Sequence, residues 1–201
     1  MRTVLLKMRF AAHSVSLVPL ALIALVACVP ARVEDPRLED SRVLVQSFGA
    51  RLKAELKKGM EQGGPVAAVQ ICKDVAPRIA SELSRQSGAR VMRTSLRYRN
   101  PGNAPDDGQV RVLKEFEARA AAGENRAPYE HFVTGKDGRA RYMSAIRIEP
   151  VCLACHGDTL APTMQERVSA EYPHDRATGY MQGDVRCAIS LSWPPDDPPG
   201  S

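Results

Sequence analysis

Between residues 39 and 62, Val45, Phe48, Leu52, Leu56 and Met60 recur every three or four positions with polar residues between them, which predicts a helix with one apolar face. Gly63, Gly64 and Pro65 break the pattern. A second helical period then runs through Ala68, Ile71, Cys72, Val75, Ile79 and Leu83 to a stop at Gly88. Pro77 falls inside it and has no N–H to give, so it must kink or interrupt the helix. Beyond Gly88 the texture changes. Residues 91 to 99 read as a strand, residues 100 to 105 as a loop of turn formers, and residues 106 to 122 as a helix with Val110, Leu113 and Phe116 at helical spacing. Residues 129 to 133 and 139 to 148 are strands flanking a hairpin signal at Gly135 to Gly138. Residues 158 to 180 are polar and loop-like, with room for a short helix. A last strand puts Val185, Cys187, Ile189, Leu191 and Trp193 on one face. The Pro-rich residues 194 to 201 are expected to be disordered. Helices first, then antiparallel strands with an inserted helix, is an α+β order.

The N-terminus is of another kind. Arg2, Lys7 and Arg9 precede an apolar stretch over residues 16 to 27, and no acidic residue occurs before Glu34. This is a signal-peptide pattern, and its apolar part is too short for a membrane span of about 20 residues. It ends in Leu25-Val26-Ala27-Cys28, which resembles a bacterial lipobox. Cleavage before Cys28 and diacylglyceryl attachment to its sulfur would make residues 1–27 a lipoprotein signal peptide and residues 28–38 a lipidated tether. The alternative is an ordinary signal peptide in which Cys28 is incidental. Two or three acyl chains hold a protein stably at a membrane. Val29 after the Cys favours the outer membrane, so the expected location is the periplasmic side of a bacterial membrane. The formal charge of +5 also changes meaning: of 28 basic residues three would be lost with the leader, leaving 25 against 23 acidic residues, close to balance. That is no nucleic-acid footprint.

Within the remaining domain, expected over residues 39–193, the chemistry is concentrated at Cys152-Leu153-Ala154-Cys155-His156. Two thiols three positions apart, followed at once by an imidazole, is the arrangement that holds a c-type haem: the thiols form thioethers and the His ligates the iron. Competing uses of the spacing exist. A structural zinc site needs four ligands, and no second CxxC or HxxxH occurs. A thioredoxin-like pair belongs at a helix N-terminus in a βαβ unit, whereas a strand ending in Glu149-Pro150 precedes Cys152. A plain disulfide remains, but the oxidising compartment implied by the leader suits haem. One motif implies one covalent haem. Of the five cysteines, Cys72 and Cys187 are left over, and they could pair.

At this point the chain resembles a known family: single-haem c-type proteins with a PAS-like antiparallel sheet, long catalogued as a domain of unknown function and first seen in a cyanobacterial haem protein. The resemblance rests on Ala68-Val-Gln-Ile-Cys72-Lys-Asp-Val-Ala-Pro77, on Arg93-Thr-Ser-Leu-Arg-Tyr-Arg-Asn-Pro101 with Asn103, Pro105 and Asp106, on Cys152-Leu-Ala-Cys-His156-Gly157, and on Tyr172-Pro173, Asp175, Ala177-Thr-Gly-Tyr180 and Gly183-Asp184. It implies a long N-terminal helix packed on a PAS-like sheet, with thioethers at Cys152 and Cys155 and axial bonds from His156 and Cys72. A thiolate ligand favours ferric iron, so a low reduction potential is expected. One departure stands out: Cys187 occupies a position after Gly-Asp-x-Arg where the family commonly has Gly. If Cys187 paired with Cys72, the ligand would have to come from His131, His174, Met143 or Met181. Arg93, Arg97 and Arg99 alternate along the expected strand and would face haem propionates together, or else form a solvated edge. Tyr98 and Asn100 are candidates for further hydrogen bonds to the haem site.

Two functions compete. The first is a membrane-tethered one-electron carrier with a periplasmic redox partner. The second is a haem-based sensor in which reduction loosens Cys72 and a diatomic ligand (CO, NO or O2) or a redox partner shifts the equilibrium. Family members fused to histidine kinases and chemoreceptors point to sensing. Here no transmembrane helix or output domain follows, so a signal would pass to a separate partner. A carrier or sensor is expected rather than a catalyst, because a closed His/Cys haem offers no open position at rest, and no other catalytic motif is present.

Overall fold

The computed structural model describes residues 34–125 and 128–195. The leader, Cys28 and residues 196–201 lie outside the described residues. Helix α1 spans Pro36–Gln70, starting before the expected end of the tether at residue 38. The local chemistry explains the early start. Pro36 suits the first helical position, and the Asp35 carboxylate accepts the Arg37 N–H at 3.1 Å as an N-cap. Arg37 is itself buried. Its guanidinium pairs with Asp35 and donates to the carbonyls of Gly138 at 2.9 Å and Pro194 at 3.1 Å. The first turn is thereby tied to the hairpin and to the end of the last strand, and Pro194 belongs to the ordered domain.

The break at Gly63 and Gly64 is present, Gly64 having a φ of 67° that only glycine takes readily, and Pro65 restarts the helix. The outcome at Pro77 is more specific than a kink. Residues Ile71–Val75 form one π-helical turn in which the Ala76 N–H reaches the Ile71 carbonyl, and α2, Ala76–Ser87, follows. Pro77 cannot donate to the Lys73 carbonyl, and the widened turn moves that carbonyl off the proline ring. Cys72 stands on this turn. Gly59 of α1 lets it approach closely, since a Cβ there would lie 3.1 Å from Ile71 Cγ1.

Four strands, β1 (Arg90–Thr94), β2 (Glu130–Thr134), β3 (Ala140–Arg147) and β4 (Val185–Trp193), form one antiparallel sheet in the order β1-β4-β3-β2. One face packs Val91, Tyr142, Ile189 and Leu191 against Phe48, Leu52, Ile79 and Leu83 of α1 and α2. Burying each such side chain contributes about 1.5–3 kcal/mol. The other face packs Met143, Val185 and Ala188 against Val112, Leu113 and Phe116 of α3, Asp107–Ala121. The α+β fold with a long N-terminal helix on an antiparallel sheet is as expected.

Two expectations need correction. Ile146 pairs with Cys187 but Arg147 pairs with Val185, so Arg186 is the extra residue of a β-bulge. The bulge inverts the alternation, and Val185 joins the α3 cluster instead of sharing a face with Cys187. It also shortens β1. The β1–β4 ladder ends at Thr94 opposite Ala188, and Ser95 turns its hydroxyl to the Arg186 carbonyl at 2.8 Å. Arg97 and Arg99 therefore leave the strand and do not alternate with Arg93.

Candidate functional site

Pro150 opens a tight turn, Pro150–Cys152, that runs directly into the single helical turn α4, Leu153–His156. Gly157 ends it. A Cβ there would sit 2.8 Å from the Leu153 carbonyl oxygen, so only glycine fits against the turn. The loop is then fastened to residues 177 to 180. The Gly179 N–H donates to the Gly157 carbonyl at 2.8 Å and the Tyr180 N–H to the His156 carbonyl at 3.0 Å. Arg99 braces the other side: it pairs with Asp175 at 3.0 Å, and its NH2 donates to the Cys155 carbonyl at 2.7 Å.

The imidazole of His156 is set by two neighbours. Nδ1 lies 2.7 Å from the Ala177 carbonyl, which can only accept, and Nε2 lies 3.3 Å from Arg186 Nε, which can only donate. The ring is therefore the neutral Nδ1–H tautomer with its lone pair on Nε2. Burial, with Arg186 and Arg99 nearby, holds its pKa well below the usual histidine value, so it stays neutral near pH 7. Tyr180 meets the ring edge-on at 6.2 Å. Cys152 and Cys155 are free thiols, and burial pushes the Cys155 thiol pKa up.

Cys72 and Cys187 are likewise free thiols. Cys72 lies near enough to Cys155, Arg93 and Tyr172 for a charge on its sulfur to bear on the ionisation of all three. The π-helical turn thus delivers a third thiol to the loop from 80 positions away in sequence. Cys187, buried on β4, accepts a weak hydrogen bond from Arg93 at 3.7 Å. Arg93 Nε is buried with no hydrogen-bond partner among the described residues. Burial opposes the charge on Arg93, but the facing thiols Cys187 and Cys72 outweigh it and raise its pKa.

The other nominated residues are placed as follows. Arg97 stacks on the Tyr180 ring, 4.0 Å from its centroid. Tyr98 faces Arg176, and Asn100 caps the turn at Pro101–Asn103 by accepting the Gly102 N–H. Met143 is buried under α3, Met181 and His174 are exposed, and His131 lines a groove with Arg111 and Glu115 of α3. Sequence reasoning passed over Arg99 as a brace, and it missed the Ala177 carbonyl and Arg186. The only signal for Arg186 was its place in the Gly-Asp-x-Arg stretch.

Fold and site together define an α+β domain with a free-thiol and imidazole loop set against the bulged end of its antiparallel sheet. The chain belongs to the Tll0287-like family, whose model matches residues 27–194. It is similar in fold to the crystal structure of the cyanobacterial heme-protein Tll0287, with a TM-score of 0.61 and 23% sequence identity over 82% of this chain and 97% of that one. No curated protein matches the chain.

Proposed function

We propose that the protein is a lipid-anchored, single-haem c-type cytochrome of the bacterial envelope that transfers single electrons to a periplasmic partner. The observation that carries this is His156: Ala177 takes its Nδ1–H, which leaves the lone pair on Nε2, the nitrogen an iron would take, and the residue directly follows the free thiol of Cys155 on the same turn. The residues fit a haem. Cys152 and Cys155 would hold it as thioethers, and His156 and Cys72 would supply the nitrogen and sulfur for its iron. The buried, unpartnered Nε of Arg93 and the guanidinium of Arg97 suit propionates. Bound haem supplies a one-electron ferric/ferrous couple. The chain does the rest: Ala177 orients the imidazole, Arg99 and Asp175 fix the loop, and α5 (Pro162–Glu171) anchors the π-helical turn through Lys73 to Glu171 at 2.5 Å. The haem protein of similar fold and the family membership support the same reading. The lipid on Cys28 and the outer-membrane location rest on the leader.

A sensor reading is favoured by one observation. Cys72 stands on a π-helical turn, a segment with a second hydrogen-bond register at hand, so its sulfur can withdraw without moving the sheet.

The test is the optical spectrum of protein made in a host that attaches c-type haem, ferric and dithionite-reduced, with and without CO. Absence of covalent haem bands sinks the proposal. An unchanged reduced spectrum under CO supports electron transfer, and a shifted Soret band supports sensing. In the same preparations, Cys72→Ser should lose the thiolate signature in ferric EPR, and Cys28→Ala should move the protein from the membrane pellet to the soluble periplasmic fraction.

A further inference from the structure

Arg186 is the extra residue of the β4 bulge and is only 6% exposed. Its Nε–H donates to His156 Nε2 at 3.3 Å, and its NH1 donates to Ser95 Oγ at 3.2 Å and to the Arg97 carbonyl at 3.3 Å. The guanidinium lies over the Tyr180 ring at 5.5 Å. Ser95 in turn donates its hydroxyl to the Arg186 carbonyl, so one serine grips both ends of the residue. All these acceptors are neutral, and no carboxylate hydrogen-bonds to this guanidinium among the described residues. A buried cation without a hydrogen-bonded anion is costly; Arg93 and Arg99 close by add to the cost, while Cys187 and Tyr180 offset part of it, and burial leaves the pKa of Arg186 lowered. The acceptor of its Nε–H is also the one ring nitrogen of His156 left open for a metal, because Nδ1 is committed to Ala177.

We propose that Arg186 is a placeholder for the iron: it holds the His156 Nε2 lone pair while the chain carries no haem, yields it on attachment, and stays beside the site as an unpaired positive charge that raises the reduction potential. This rests on the haem reading above and adds a positioning residue to it. A guanidinium suits the role because it never deprotonates and never competes as a ligand. Before attachment the contact keeps the lone pair engaged and the ring aimed. After attachment the charge favours the reduced, less positive centre and partly offsets the thiolate.

The test uses the full chain labelled with 15N at histidine and prepared without haem, alongside haem-loaded protein, as wild type, Arg186→Met and Arg186→Lys. In the haem-free wild type, NMR should show His156 protonated at Nδ1 with Nε2 accepting a hydrogen bond. In Arg186→Met the tautomer should persist, held by Ala177, while the Nε2 resonance moves to that of an unengaged nitrogen. In redox titration, Arg186→Met should have a lower midpoint potential than wild type, and Arg186→Lys, which keeps the charge, should lie near wild type. An Nε2 resonance unmoved by Arg186→Met, or a midpoint potential that does not fall, overturns the proposal. If the Met chain fails to fold, Arg186→Leu, which is also neutral and has no donor, takes its place with the same expectations. Wild type without covalent haem sinks the haem reading instead, and the NMR comparison still decides whether Arg186 engages the lone pair.

Discussion

Gly157 shows how closely the loop is built around its backbone. Its φ of −64° suits any residue, so the demand for glycine is steric: an added methyl would press on the Leu153 carbonyl at 2.8 Å, and backbone cannot swing aside. Gly157→Ala is expected to lower stability by about 1–3 kcal/mol, as overpacking does, and to reduce the fraction of chain carrying covalent haem. Urea denaturation and haem staining of the purified protein measure the two effects. At this scale the sequence was most informative where chemistry is local. Cys152, Cys155 and His156 are legible because the chemistry proposed for them depends only on their spacing. Arg99, Ala177 and Arg186 are not, because each acts on the loop from a distant stretch, and a backbone carbonyl such as that of Ala177 has no residue type to recognise.

At the scale of elements, the hydrophobic period located both helices before the sheet, the α3 helix and the β2–β3 hairpin. It could not locate defects of register. A one-residue change at Ile71–Val75 or at Arg186 leaves the apolar pattern nearly intact while redirecting a side chain. Pro77 is the part of the π-helical turn that sequence does carry. Pro77→Ala restores an N–H facing the Lys73 carbonyl and lets the turn close to an ordinary α register, which rotates Cys72 by about 100° relative to α2. The expected outcome is stability within about 1 kcal/mol of wild type together with a weakened thiolate signature in ferric EPR. An unaltered EPR spectrum would show that the wide turn is held by packing on Gly59 and α5 and not by the proline.

For the whole molecule, the clasp of Asp35 and Arg37 is the point where the chain closes on itself. The Arg37 guanidinium holds the Asp35 carboxyl down to about 2, from an ordinary 3.8. A carboxyl with a depressed folded pKa stabilises the fold above its unfolded pKa, and that stability is lost as pH falls through the folded value. The clasp should therefore contribute fully above about pH 4 and fade toward pH 2, at about 1–2 kcal/mol after solvent screening. Asp35→Asn should lower stability at pH 7 by that amount and flatten the acid limb between pH 4 and 2, as read by urea midpoints across pH. The clasp was invisible in sequence because residues 34 to 38 have a linker's composition, and it is long-range contact, with Gly138 and Pro194 among its partners, that ties Arg37 into the domain.

The order of the sheet carries one more consequence, for synthesis. Among the described residues β4 is the last strand to be made, yet it lies between β1 and β3, and β1 has no other partner there. The template at residues 177 to 180 also follows the loop it fastens. A chain emerging from its N-terminus therefore presents Cys152, Cys155 and His156 before the segments that enclose them have arrived. Insertion of β4 then ends that interval, so how long these three residues stand open is set by the folding rate of the strand that also carries Arg186.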